Sequence, residues 1–136
     1  ARTEQVLAAR EAAMAGWDDA IMLDVRGQVI SSSRGNIFVV TGGKVLTPDL
    51  SRCGISGTRR QLLIDFILPS LGFEAEVCNL TWEQLITADA VSITNAVIGI
   101  AEVVAIGDTE LPKDGVDGLV SRMQESMTQY LCQGLS

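Results

Sequence analysis

Histidine is absent from the 136 residues. Without an imidazole the chain holds no Ser-His-Asp or Cys-His arrangement, no histidine general base, and few of the ligand sets that bind zinc. The three cysteines, Cys53, Cys78 and Cys132, have no metal-ligand spacing, and their odd number makes no closed disulfide framework. They read as small buried hydrophobes kept reduced, as in the cytosol. Basic residues are also short. Lys and Arg number 10 against 17 Asp and Glu, a net charge of −7 that repels phosphate backbones and argues against a nucleic-acid partner. No apolar run approaches the roughly 18 residues that cross a bilayer, and no basic stretch followed by an apolar one opens the chain. A soluble domain without a membrane partner is expected. Missing too are the G-x-S-x-G elbow, the Walker A loop, the dinucleotide fingerprint, H-E-x-x-H and C-x-x-C, so most catalytic templates fail.

What is present is a chain 47% apolar, without repeats or a low-complexity linker, which predicts one folded domain over residues 1–136. Thr3 to Ala15 reads as a helix, with Val6, Leu7, Ala13 and Met14 as its apolar stripe and Gly16 as its stop. The chain enters this helix without a cap or leader, as a piece of a longer protein would. Ala20 to Asp24 and Gln28 to Ser31 read as a hairpin across Arg26-Gly27. Asn36 to Thr41 and Lys44 to Thr47 form a second one across Gly42-Gly43, ending at Pro48. A helix is expected from Thr58 to Leu71, kinked or cut short by Pro69. Phe73 to Asn79 alternates as a strand, and Thr81-Trp-Glu-Gln84 is a capping box that opens a short helix to Thr87. Ala90 to Thr94 and Ile98 to Ile106 are apolar strand-like runs, and Val116 to Leu131 is a closing amphipathic helix. Interleaved helices, strands and hairpins point to an α/β domain with a mixed sheet.

Chemistry is confined to polar breaks between these elements. Gly54-Ile-Ser-Gly-Thr58-Arg59 stands immediately before a helix, where unpaired N–H groups and the helix dipole suit a phosphate. Gly and Ser before a helix are more often simple caps. Thr94-Asn95-Ala96 interrupts two strands and offers backbone donors, although such a break is more often a plain turn or bulge. Ser31 to Asn36 reads first as a solvated loop. Asp18, Asp19 and Asp24 read as strand ends rather than as a carboxylate site, and no metal site is expected.

The order of these motifs resembles the C-terminal part of the fold-type IV pyridoxal-phosphate enzymes, the class-IV aminotransferase family. Trp17-Asp-Asp-Ala-Ile-Met-Leu-Asp24 is similar to the family's "DEALLLD". Gly27-Gln-Val followed by Gly35-Asn-Ile-Phe38 is similar to its hairpin motif. Thr47-Pro-Asp-Leu50, Gly54-Ile-Ser-Gly57 and Arg60 resemble "T-P-x-L … G-x-x-G-I-x-R". Ala88-Asp-Ala-Val91 before Thr94-Asn-Ala-Val97 resembles the form typical of the aminodeoxychorismate lyase branch. Each motif is weak alone; their shared order over nearly the whole chain is specific.

The resemblance implies a mixed sheet partly curled into a barrel with flanking helices, the C-terminal domain of the D-amino-acid aminotransferase-like fold. It implies pyridoxal 5'-phosphate as cofactor, held by Gly57, Thr58 and Arg59 at the head of the helix and by Asn95 and Ala96 at the later turn. It also implies a cytoplasmic homodimer acting on a small molecule. The lyase activity implied eliminates pyruvate from 4-amino-4-deoxychorismate to give 4-aminobenzoate for folate synthesis. A branched-chain or D-amino-acid aminotransferase is the alternative, and a non-catalytic relative is another. Two departures stand out. The family's Schiff-base lysine falls by register just before residue 1, and neither Lys44 nor Lys113 matches it, so no catalytic residue is expected within the chain and it is expected to be inactive alone. The family's N-terminal domain, with a further phosphate-binding arginine, is likewise not represented. Ser31 stands where relatives carry the glutamate that pairs with the cofactor's ring nitrogen, and a serine offers only a neutral hydrogen bond.

Overall fold

The computed structural model of the chain describes residues 8–14, 18–23, 28–32, 35–49, 58–95, 99–111 and 115–134. Nine strands join in one sheet: β1 (Ala8–Met14), β2 (Asp18–Leu23), β3 (Val29–Ser32), β4 (Asn36–Thr41), β5 (Lys44–Pro48), β6 (Ala75–Cys78), β7 (Ala90–Asn95), β8 (Gly99–Ile106) and β9 (Thr109–Glu110). Their order is β3-β2-β1-β8-β7-β4-β5-β6, with β9 beside β8. Among the described residues only β5 and β6 run parallel, with the helical run of residues 58–70 between them, long enough to return the chain to the same end. The mixed α/β sheet is as expected, but it does not close into a barrel. Its two ends touch at one bridge, where the Val29 N–H donates to the Leu80 carbonyl at 2.8 Å.

The β4–β5 hairpin forms where the sequence places two glycines. Gly42 and Gly43 have φ of 56° and 80°, the left-handed pair that a tight two-residue hairpin turn needs. Asp89 secures this turn to the start of β7, its Oδ2 accepting from the Gly42 N–H at 3.2 Å.

One expectation fails. Ala8–Met14 is a strand, not part of a helix; Thr3 to Leu7 and Ala15 lie outside the described residues. Alanine, arginine, glutamate and methionine favour helix by only a few tenths of a kcal/mol each. Strand β1 pairs antiparallel with β2 on one side and β8 on the other, and two hydrogen-bonded ladders outweigh that preference.

The second helix expectation holds with a modification. Helix α1 (Thr58–Leu62) passes into a π-helical turn, Leu63–Ile67, and then α2 (Leu68–Ser70). Pro69 has no N–H, and its ring crowds the carbonyl four residues back. The widened turn ahead of it, closed by the Leu68 N–H on the Leu63 carbonyl, carries the helical run through to Ser70 rather than ending it early. Helix α3 (Trp82–Ile86) opens on the expected capping box, with Gln84 N–H donating to Thr81 Oγ1 at 3.1 Å and Thr81 N–H to Gln84 Oε1 at 2.9 Å. Helix α4 (Gly115–Gly134) closes the chain.

Strand alternation divides the core in two. Ile37, Val39, Leu46, Val91, Ile93 and Val103 face a cluster closed by Leu80, Leu85 and Ala88 around α3. Phe38, Val40, Val45, Ala90 and Ile100 face the other way, against Leu63, Ile67, Leu68, Leu119 and Met123 of the remaining helices.

Candidate anion-binding site

On the helix-covered face of the sheet, the apolar row gives way to polar side chains towards one end. Strand β4 begins there with Asn36, and antiparallel β7 ends there with Thr94 and Asn95; Asn36 lies opposite Thr94 in register. Antiparallel pairing brings the end of β5 and the start of β8 to the same end, with Thr94 opposite Ile100 and Asn95 opposite Gly99. Two-residue periodicity puts Asn36 on the face of Phe38 and Val40, and Thr94 on that of Ser92 and Ala90. Asn36, Ser92, Thr94 and Thr47 are all buried.

Their hydrogen bonding separates them. Thr47 Oγ1 donates to the Ile37 carbonyl at 2.8 Å and is satisfied. Thr94 Oγ1 and Asn36 Oδ1 are buried with no hydrogen-bond partner, although they belong to residues directly opposite each other. Buried polar atoms without partners are rare in folded proteins, and two in adjacent strands single out this end of the sheet.

Helix α1 packs on β7. Arg60, in its first turn, ties it to the sheet: Nη2 donates to the Pro48 carbonyl at 3.0 Å. Burial lowers the Arg60 guanidinium from its ordinary value, and the Asp49 carboxylate opposes that by favouring the cation. Arg60 Nε is another buried polar atom without a partner, here a donor. On the opposite flank, Gln124 Nε2 of α4 donates to the Ile100 carbonyl at 2.7 Å and holds the start of β8. Gly35 allows β4 to begin this close to β7, because a Cβ there would lie 2.3 Å from the Thr94 carbonyl oxygen.

Thr58 and Arg59 are the first two residues of α1, and Asn95 is the last of β7. Gly57 and Ala96 lie outside the described residues. Ser31 is buried in β3, opposite Met22 of β2. Sequence reasoning placed Thr94 in a polar break and Asn36 in a hairpin motif without assigning either to the site. The available signal was parity: both stand at positions whose alternation with Phe38 and Ala90 points them inward. Among the described residues no three His, Cys, Asp or Glu side chains come together to hold a metal ion, and no helix is long and apolar enough to cross a membrane.

Comparison with known proteins connects this arrangement to a family. The pattern of the family described as amino-transferase class IV matches residues 1–106. The aminodeoxychorismate lyase of Vibrio harveyi is 35% identical over 121 residues, which cover 89% of this chain and 44% of the relative. The branched-chain-amino-acid aminotransferase of Pseudomonas aeruginosa is 31% identical over 110 residues, 81% of this chain and 34% of the relative. Among solved structures, an aminotransferase from Brucella abortus bound to the cofactor pyridoxal phosphate superposes with a TM-score of 0.73 at 25% identity, covering 85% of this chain and 40% of that one. The chain thus spans less than half the length of each.

Proposed function

Because this chain belongs to the class IV aminotransferase family, we propose that it is the cofactor-binding domain of a pyridoxal-phosphate-dependent 4-amino-4-deoxychorismate lyase. The observation that carries the cofactor reading is the pair of unpartnered buried polar atoms, Thr94 Oγ1 and Asn36 Oδ1, on the face against which α1 packs. A phosphate needs donors in a confined place, and the first N–H groups of a helix have no acceptor within it. In this reading the main-chain N–H groups of Thr58, Arg59, Asn95 and Ala96 hold the phosphate, with Gly57 allowing the chain to approach it. Arg60 keeps the head of α1 in place through the Pro48 carbonyl, and Gln124 does the same for β8.

When bound, pyridoxal phosphate supplies an electron sink for charge that develops beside the substrate's amino group. Ser31 stands at the position of the family's ring-nitrogen carboxylate and offers a neutral hydroxyl. It therefore stabilises a protonated ring less than a carboxylate would. The lysine that bears the cofactor belongs, on this reading, to the part of the whole protein ahead of residue 1, so the domain alone is inactive. The whole protein is then a cytoplasmic homodimer acting on a small molecule and serving folate synthesis.

Identity to the Vibrio harveyi lyase favours elimination of pyruvate; likeness to branched-chain aminotransferases favours amino-group exchange as the second reading. Ser31, a buried hydroxyl at the position of the family's carboxylate, keeps a non-catalytic homologue as the third. Borohydride reduction of the full-length protein with pyridoxal phosphate should leave one pyridoxyl-lysine just ahead of Arg2, found by peptide mass. Pyruvate release from 4-amino-4-deoxychorismate then establishes the lyase, and amino exchange with 2-oxoglutarate establishes the transaminase. No adduct and neither activity would leave the non-catalytic reading.

A further inference from the structure

Hydroxyls in this chain that the helices and β5 place beside backbone find acceptors there. Ser70 Oγ donates to the Ile67 carbonyl at 2.7 Å, Thr87 Oγ1 to Glu83 at 2.6 Å, Thr128 Oγ1 to Gln124 at 3.0 Å and Thr47 Oγ1 to Ile37 at 2.8 Å. Thr94 departs from that pattern. It is completely buried, its hydroxyl has no partner, and the carbonyl-type acceptor of Asn36 on the facing strand is not used. Valine would fill the same volume without stranding a donor, so the hydroxyl earns nothing from packing. It faces the helical layer, where both α4 and α1, which begins at Thr58 and runs on unbroken to Ser70, pack on β7.

We infer that Thr94 is a side-chain ligand of the anion held at the head of α1, its hydroxyl donating to a phosphate oxygen, with the Asn36 amide as its partner. A half-turn of that amide presents NH2 in place of oxygen, so the pair becomes two donors. This inference rests on the phosphate-site reading above and adds a residue to it. It makes Thr94 a determinant of phosphorylated over unphosphorylated ligand, because a donor that meets only the phosphate contributes nothing to the ring.

The test uses full-length apoprotein with Thr94→Val and Thr94→Ser, titrated with pyridoxal phosphate and with pyridoxal, and melted with and without inorganic phosphate. A charge-assisted hydrogen bond predicts that Thr94→Val weakens pyridoxal phosphate about tenfold or more. Pyridoxal binding should be unchanged, Thr94→Ser should restore most of the loss, and the apoprotein of Thr94→Val should melt no lower than wild type. Wild-type affinity retained in Thr94→Val would overturn the inference and leave a bridging water as the partner of the pair. Equal losses for both ligands with a lower melting temperature would overturn it in favour of a structural role. If wild type takes up no pyridoxal phosphate, the cofactor reading fails and inorganic phosphate decides the site separately. Stabilisation of wild type and not of Thr94→Val upholds the anion ligand, and any other pattern overturns it.

Discussion

Strands β4 and β7 present different side chains to the two layers that cover them. Towards α3 they show Ile37, Val39, Val91 and Ile93, each buried among apolar neighbours. Towards α1 and α4 they show Phe38, Val40 and Ala90, and then, at one end, Asn36 and Thr94. The first face buries apolar area throughout. The second gives up part of its apolar burial and keeps unpaired polar atoms at one end. The same two strands thus present a wholly apolar surface to one layer and a partly polar one to the other.

That contrast can be broken first where burial is greatest. Phe38→Ala removes a fully buried ring from the apolar part of the helix-covered face. It should lower stability by about 4 kcal/mol in urea unfolding. Gly35→Ala attacks the boundary between the two parts: its Cβ meets the Thr94 backbone, which cannot move aside as a side chain would. A loss of about 3 kcal/mol is expected, together with weaker pyridoxal phosphate binding by full-length protein, because β4 and β7 must separate at the site. A Gly35→Ala protein as stable as wild type would show that the close approach is not needed.

The two buried threonines sharpen the comparison. Thr47→Val loses the bond to the Ile37 carbonyl and should cost about 1 kcal/mol, whereas Thr94→Val, with no bond to lose, should cost nothing. Equal losses in thermal unfolding would mean that Thr94 is satisfied after all. The smallest expected effect is a pH dependence on the other face, where Cys78 packs beside the α3 cluster. Burial, and then the nearby Glu76 charge, raise its thiol above the ordinary value. The unfolded chain therefore ionises first, and Cys78 should subtract a little stability as pH rises through the ordinary thiol range. Cys78→Ala should flatten that part of the profile of unfolding midpoint against pH.

Much of this was legible in local signals. The Gly42-Gly43 turn and the Thr81 capping box act over a few residues, and each lies where expected. Ser31, Ser32 and Asn36, read as a solvated loop, instead belong to β3 and β4, with Ser31 and Asn36 buried, and Thr94 and Asn95 end β7. The resemblance in motif order led to the family that the comparisons show. The segment from Ala8 to Met14 was misread because its periodicity and composition favour a helix when taken alone. Parity would have turned Asn36 and Thr94 inward, but it does not tell whether an inward hydroxyl is bonded. Thr47 and Thr94 look alike in the sequence and differ only in which carbonyl lies within reach.

Periodicity, glycines and caps thus set most elements and their ends, since those preferences depend on a residue and its near neighbours. The strand order, the identity of β1 and the polar end of the helix-covered face came from pairing between distant segments. Ala12 of β1 meets Ile106 of β8, and Asn36 of β4 meets Thr94 of β7. Backbone hydrogen bonds across such distances, and the burial they enforce, outweigh a few tenths of a kcal/mol of local preference per residue. They also set two buried polar residues opposite each other in register and leave an atom of each without a partner.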